Sequence, residues 1–91
     1  DPNGDAALHY AIKFNQTDLV PLLIEHGAAI DQQNGEGNTA LHLAARTNKA
    51  EVVTILLELG ASANLENNEG QTALDVATGE SLELLREAGA Q

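Results

Sequence analysis

Apolar positions along the chain recur in a fixed order: a short alanine-rich stretch, a polar break, a longer leucine- and valine-rich stretch, then glycine. The order is fullest in the middle of the chain. There Leu41, Ala44 and Ala45 take the three- and four-residue spacing that puts side chains on one helix face. Thr39 stands just before them, where its hydroxyl can accept from the first free N–H groups of a helix. After the polar residues 47–50 come Val52, Val53, Ile55, Leu56, Leu57 and Leu59 around Thr54 and Glu58. The β-branched content alone would suit a strand. The length and the glycine at Gly60, which can close a helix in the left-handed conformation, predict a second helix instead. Gly27 and Gly89 end the equivalent segments. Ahead of the helix pair, Asn34 and Gly35, then Gly37 after Glu36, predict a tight turn whose residues tolerate positive φ.

The pattern repeats. Gly4–Ala11 reads GDAALHYA, Gly37–Ala44 reads GNTALHLA and Gly70–Ala77 reads GQTALDVA, a period of 33 residues. A unit of this length is one supersecondary element that cannot bury its apolar face alone, so units must stack, and the product is a surface more than a pocket. Thr72 repeats the capping role of Thr39, whereas Ala6 abandons it. Pro21 takes the place of Thr54 in the opening turn of a second helix, where a missing N–H does least harm if Asp18 or Thr17 caps. The third unit is shortened: Gly37 and Gly60 are 23 residues apart but Gly70 and Gly89 only 19, so its inner helix must be short.

These strings resemble the ankyrin repeat. Gly37, Thr39, Leu41, His42, Leu43, Ala44 and Ala45, then Val52, Val53, Leu56, Leu57, Gly60, Ala61 and Asn64 hold that family's marker positions. The resemblance implies an all-α solenoid of three stacked helix-turn-helix units with β-turn or hairpin loops between them. It makes residues 1–91 a single domain with repeats near 3–35, 36–68 and 69–91. Ala7, Ala40 and Ala73 replace the family's usual proline. In the last unit Asp75 replaces His9 and His42, and Arg86 replaces Ile24 and Leu57. Arg86 reads as an outward-facing residue on a terminal unit, because nothing stacks on that face, so residues 82–90 should close the array. At the other end Asp1, Pro2, Asn3 and Gly4 supply a turn, but the first unit looks nearly internal, with room for a further unit upstream.

Composition narrows the function. Fourteen acidic against four basic residues give a net charge of −10, which repels phosphate backbones and anionic membrane surfaces. No nucleic-acid or membrane partner is expected, and excess like charge favours a soluble monomer. The apolar stretches Leu19–Ile24 and Val52–Leu57 are far too short to span a bilayer. Absence of cysteine favours a reducing compartment, and the expected location is intracellular, cytoplasmic or nuclear. Absence of methionine suggests a domain cut from a longer polypeptide or a processed chain.

Candidate chemistry is sparse. His9 and His42 lie one unit apart, a spacing of about 8–10 Å between packed helices, whereas one zinc ion needs both ligands at about 2 Å. The resemblance instead implies a histidine that hydrogen-bonds between neighbouring turns. His26 suits a helix C-terminus. Ser62 and Ser81 have no histidine near them in sequence, and pairs such as Glu80 with Glu83 or Glu66 with Glu69 read as solvated faces. Gly35–Gly37 lacks the remaining spacing of a phosphate loop, and the glycosylation triplet Asn15–Thr17 has no consequence inside a cell. No catalytic, cofactor or metal site is expected, and the chain is not read as an enzyme.

What remains is a binding surface. The resemblance implies a cupped face with turn tips as fingers and inner helices as a palm. Asn3, Asp5, Glu36, Asn38, Glu69 and Gln71 fall on the fingers. The palm takes Lys13, Asn15 and Gln16, then Arg46, Thr47, Asn48 and Lys49. Tyr10 and Phe14, four residues apart, share a helix face. Their counterparts are Leu43 with Thr47 and Val76 with Glu80, so Phe14 should be partly exposed, either as an interface anchor or as cover for a bare N-terminal surface. The expected contact residues are Tyr10, Lys13, Phe14, Glu36, Asn38, Arg46, Thr47, Lys49, Glu69 and Gln71. The function expected is a non-catalytic module that binds a protein or peptide. The alternative is a regulatory or packing domain of a larger multidomain enzyme, such as an Arf GTPase-activating protein, whose ankyrin tails resemble the short final unit with its Thr72-Ala73-Leu74-Asp75.

Overall fold

A computed structural model describes residues 4–89. The expected turn residues Asp1 to Asn3 and the terminal Ala90 lie outside the described residues. Six helices follow in pairs: α1 (Ala7–Lys13) with α2 (Leu19–Glu25), α3 (Ala40–Arg46) with α4 (Ala50–Glu58), and α5 (Ala73–Val76) with α6 (Gly79–Glu87). The three pairs are the three units, and no strand occurs among the described residues. The loops are turns without strand pairing. Asn34 and Asn67 each close one, donating from N–H to the carbonyls of Asn38 (3.0 Å) and Gln71 (2.9 Å).

The inner helices form one layer, with α3 against α1 and α5, and the outer helices another, with α4 against α2 and α6. Leu8, Ile12, Val20, Leu41, Val53, Leu56 and Leu85 fill the space between, each 2 % exposed or less. Ala40, Ala44 and Ala45 are as deeply buried, and their small side chains let the short inner helices approach closely. The deletion in the third unit falls where expected, leaving α5 four residues long.

Local chemistry sets the helix starts. Thr39 and Thr72 cap α3 and α5, their side chains accepting from His42 N and Asp75 N. Ala6 takes the same extended backbone before α1 with no side-chain cap. Pro21 lies in the first turn of α2 as expected, with Asp18 at the cap position, but Asp18 makes no side-chain cap bond. The α6 start is capped from a neighbouring unit, with Ser81 N donating to Asn48 Oδ1 at 3.1 Å. Gly79 makes that approach feasible: its φ is +56°, and a Cβ there would sit 2.5 Å from Asn48 Nδ2.

Ser81 occupies the place that Val52 and Leu19 hold in the other units. It is 0 % exposed, and its hydroxyl has no hydrogen-bond partner among the described residues. A buried hydroxyl without a partner carries its full desolvation cost. Ser81→Ala is therefore expected to stabilise the chain by about 1 kcal/mol, raising the thermal midpoint by about 4–8 °C for a domain of this size. A lower midpoint in differential scanning calorimetry would refute this account of the site.

Candidate functional site

Two polar ladders run along the turns and hold the stack in register. In the first, Asn34 Oδ1 accepts from the N–H groups of Glu36 and Asn38, both at 3.0 Å, and Asn67 Oδ1 accepts from Glu69 N at 2.9 Å and Gln71 N at 3.0 Å. The amide groups of the same two residues reach back to the preceding turn. Asn34 Nδ2 donates to Asp5 Oδ1 at 2.9 Å and Asn67 Nδ2 to Asn38 Oδ1 at 3.0 Å. Each asparagine thus shapes its own turn and ties it to its neighbour.

The histidines form the second ladder. His9 Nδ1 accepts from Ala6 N at 3.0 Å and His42 Nδ1 from Thr39 N at 3.1 Å. An acceptor at Nδ1 leaves the neutral ring its proton on Nε2. Nε2–H then donates to the next turn, His9 to Asn38 O and His42 to Gln71 O, each at 2.8 Å. Asp75 in the last unit keeps the first half of this arrangement, its carboxylate accepting from Thr72 N at 3.0 Å. It has no donor to send onward. Gly37 completes the turn register, with a φ of +81° and so close an approach that a Cβ would lie 2.6 Å from Asn68 N.

Phe14 is 65 % exposed at the end of α1, and Tyr10, one turn earlier on the same helix, is 37 % exposed. Their rings stack with centroids 6.1 Å apart and planes within 2°. Lys13 pairs with Asp5 across the first turn. That ammonium, helped by the Asn34 amide, holds the Asp5 carboxyl below its ordinary 3.8 against the opposing effect of burial. Lys49 donates to the carbonyl of Ile12 and to Asn15 Oδ1, so it joins the second unit to the end of α1. Arg46 is exposed at the end of α3 and is in no ion pair among the described residues. Thr47 is exposed too, its hydroxyl bonded to Leu43 O at 2.7 Å.

The family model for ankyrin repeats, three copies, matches residues 8–91. The chain belongs to the ankyrin repeat family. Among solved structures it is similar to the crystal structure of the ankyrin repeat domain of Bcl-3, described as a unique member of the IkappaB protein family. The two are 33 % identical with a TM-score of 0.88, and the match covers 92 % of this chain and 37 % of that one. Comparison with curated proteins gives no match.

Ankyrin repeats are generally protein-interaction modules, and the geometry sorts the residues expected to make contact. Phe14, Arg46 and Thr47 stand open on the palm, and Glu36 and Glu69 at the finger tips. Asn38 is a correction: it is 1 % exposed, because the Asn67 amide and the His9 ring close over it. Gln71 is half-buried, its carbonyl and Oε1 both taken by the ladders. Lys13 and Lys49 carry charge at the palm but serve the internal bonds above. No group of three or more His, Asp or Glu side chains able to hold a metal ion forms among the described residues. Nor is any helix there long and apolar enough to cross a membrane.

Sequence reasoning placed Asn34 in a turn and Asn48 on the palm, but missed Asn67 and the side-chain bonds of all three. The turn signal at Asn34 and Asn67 was available, since an asparagine three residues before a glycine is the side chain that bonds its own turn. Asn48 gave no such signal. Its φ of +54°, shared with Asn15 at +59°, belongs to the local end of the helix, but its bond to Ser81 depends on a unit 33 residues further on.

Proposed function

We propose that this ankyrin array is a non-catalytic interaction module that holds a protein or peptide segment across its palm and finger tips. The observation that supports it is Phe14, a ring that is 65 % exposed on a helix packed directly against the one that ends in Arg46. Aromatic and arginine side chains are the groups enriched at interface hot spots. Glu36 and Glu69, exposed at successive tips, add two carboxylates one unit apart. The ladders below them hold the tips at a fixed spacing, so little ordering cost falls on binding. An isolated small array with net charge −10 is expected to be monomeric, to leave nucleic acid and anionic membranes alone and to work inside the cell, in cytoplasm or nucleus.

The alternative, a regulatory or packing domain within a larger enzyme such as an Arf GTPase-activating protein, draws its support from the short last unit. In that case the palm would receive another part of the same polypeptide. A partner found by unbiased capture on the immobilised chain tests the first reading. Replacing Phe14 and Arg46 together by alanine is expected to weaken that partner at least 10-fold, about 1.4 kcal/mol, by titration calorimetry. Because both side chains are exposed, the folded state should change by no more than about 0.5 kcal/mol. A large loss of thermal stability from Phe14→Ala with affinity unchanged would place the ring in the fold and not in the interface.

A further inference from the structure

The two ends of the array differ in chemistry. Every residue of unit 1 has a counterpart 33 positions later in unit 2, and unit 2 has a unit stacked before it whereas unit 1 does not. Comparing counterparts therefore shows which surface of unit 1 belongs to a stacking face. Tyr10 is 37 % exposed and its counterpart Leu43 8 %; Leu19 is 42 % exposed and its counterpart Val52 3 %. Ala7 is exposed where Ala40 is 1 % exposed, and Leu22, 46 % exposed, matches the partly buried Ile55. Four apolar residues on α1 and α2 thus hold the positions that unit 2 uses to pack on unit 1.

Phe14 is not one of them. Its counterpart Thr47 is exposed, so Phe14 belongs to the palm and Tyr10 to the end face.

The opposite end is built for water. At positions where units 1 and 2 carry a histidine and a large aliphatic, unit 3 has Asp75 and Arg86, both exposed, with Arg86 paired to Glu83 at 3.6 Å. A terminal unit needs such a polar outer face. Unit 1 has the apolar face of an internal one.

We infer that the face formed by Ala7, Tyr10, Leu19 and Leu22 is covered by a further ankyrin unit, joined in the same polypeptide ahead of residue 1. The register supports this occupant, since the same side-chain positions already receive such a unit one step along. A second copy of the chain fits worse. Its far end presents Asp75 and Arg86, and two faces meeting head to head would bring together chains that each carry a net charge of −10.

The test first reads the coding sequence ahead of Asp1, where the absence of an in-register 33-residue unit would overturn the inference, and then compares the chain with the same chain extended by the unit found there. The extension is expected to melt with the rest in one transition, to raise the thermal midpoint by at least about 5 °C and to slow amide exchange in α1 and α2. The variant Leu19→Lys with Leu22→Glu supplies the control. In the unextended chain, where both side chains are exposed, it should fold with a midpoint within about 2 °C of the parent. In the extended chain it should abolish the gain. A gain that survives the double substitution, an extension that melts separately or adds nothing, or an unextended chain that sediments as a dimer and becomes monomeric on the double substitution would each overturn the inference.

Discussion

Leu56→Ala is expected to cost the chain about 2–5 kcal/mol of stability, more than any other single substitution considered. Leu56 is 0 % exposed on α4, the outer helix of the middle unit, which packs on both α2 and α6. Removing its branched end forfeits the transfer free energy and leaves a cavity that helices held on two sides cannot collapse to fill, a loss of about 2–5 kcal/mol. At about 0.05–0.15 kcal/mol per residue, a chain of 91 residues holds about 5–14 kcal/mol in all, so this one side chain carries a large share of it. A repeat array has no second core to fall back on, since each unit touches only its neighbours. Leu59→Ala is the matched control. The same residue type one position beyond α4 is 40 % exposed, and its loss should cost about 0.5 kcal/mol or less. Urea titration by far-ultraviolet circular dichroism reads both. A Leu56→Ala loss below about 1 kcal/mol would mean that the unit interiors are loosely packed and that this description of the core is wrong.

His42→Ala should have the next largest effect, for a different reason. It strips a hydrogen-bond donor from Gln71 O and an acceptor from Thr39 N, and each buried group left without its partner costs about 1–3 kcal/mol. We expect a total of about 2–4 kcal/mol, with hydrogen exchange rising first in the turn around residues 67–71. The same residue makes stability depend on pH. Burial is the main reason that its imidazole stays below the ordinary 6.5; the charge of Arg46 acts in the same direction, and the Gln71 carbonyl and Asp75 oppose them. A base whose pKa is lowered by folding binds its proton more readily in the unfolded chain, so the contribution is complete above 6.5 and is lost as the pH falls from there toward the lowered value. Protonation would also place hydrogen on Nδ1, against the N–H of Thr39. The parent should therefore lose more stability than His42→Ala between about pH 7.5 and 5.5. Parallel curves would contradict the neutral ring with its proton on Nε2. The Asp5 carboxyl, held low by Lys13, acts in a separate window, its contribution being lost only as the pH falls below about 3.8.

The two substitutions draw on information of different reach. Leu56 was legible as core from spacing alone, since Val52, Val53, Leu56 and Gly60 mark one face and one end of a helix. The bridging role of His42 came from resemblance, and its partner, the Gln71 carbonyl 29 residues away, is visible only in the folded chain. Thr39 and Thr72 were read as caps from position, and the geometry agrees because a cap needs nothing beyond three residues of local chain. Asp18 met the same local rule and makes no cap bond. Among the residues proposed to make contact, Phe14 was read correctly as exposed from the polar character of its counterparts. Asn38 was not, since polarity at a turn tip looks the same whether the side chain faces water or a neighbouring amide.

Unit length, helix order, the shortened α5 and the polar last face were legible in the residues alone, because period, caps and glycine placement are all local to one unit. Which polar residues serve the fold and which stay exposed emerged with the stacking of the units. Asn38, Lys49 and Asn48 find their partners 29 to 37 residues away in another unit, whereas Phe14 and Arg46 are left on the surface. The stacking also decided that Ser81 lies in the core and that Leu19 and Leu22 do not. Burial of a residue in a stacked array depends on whether a neighbouring unit covers it, which no pattern within its own unit can state.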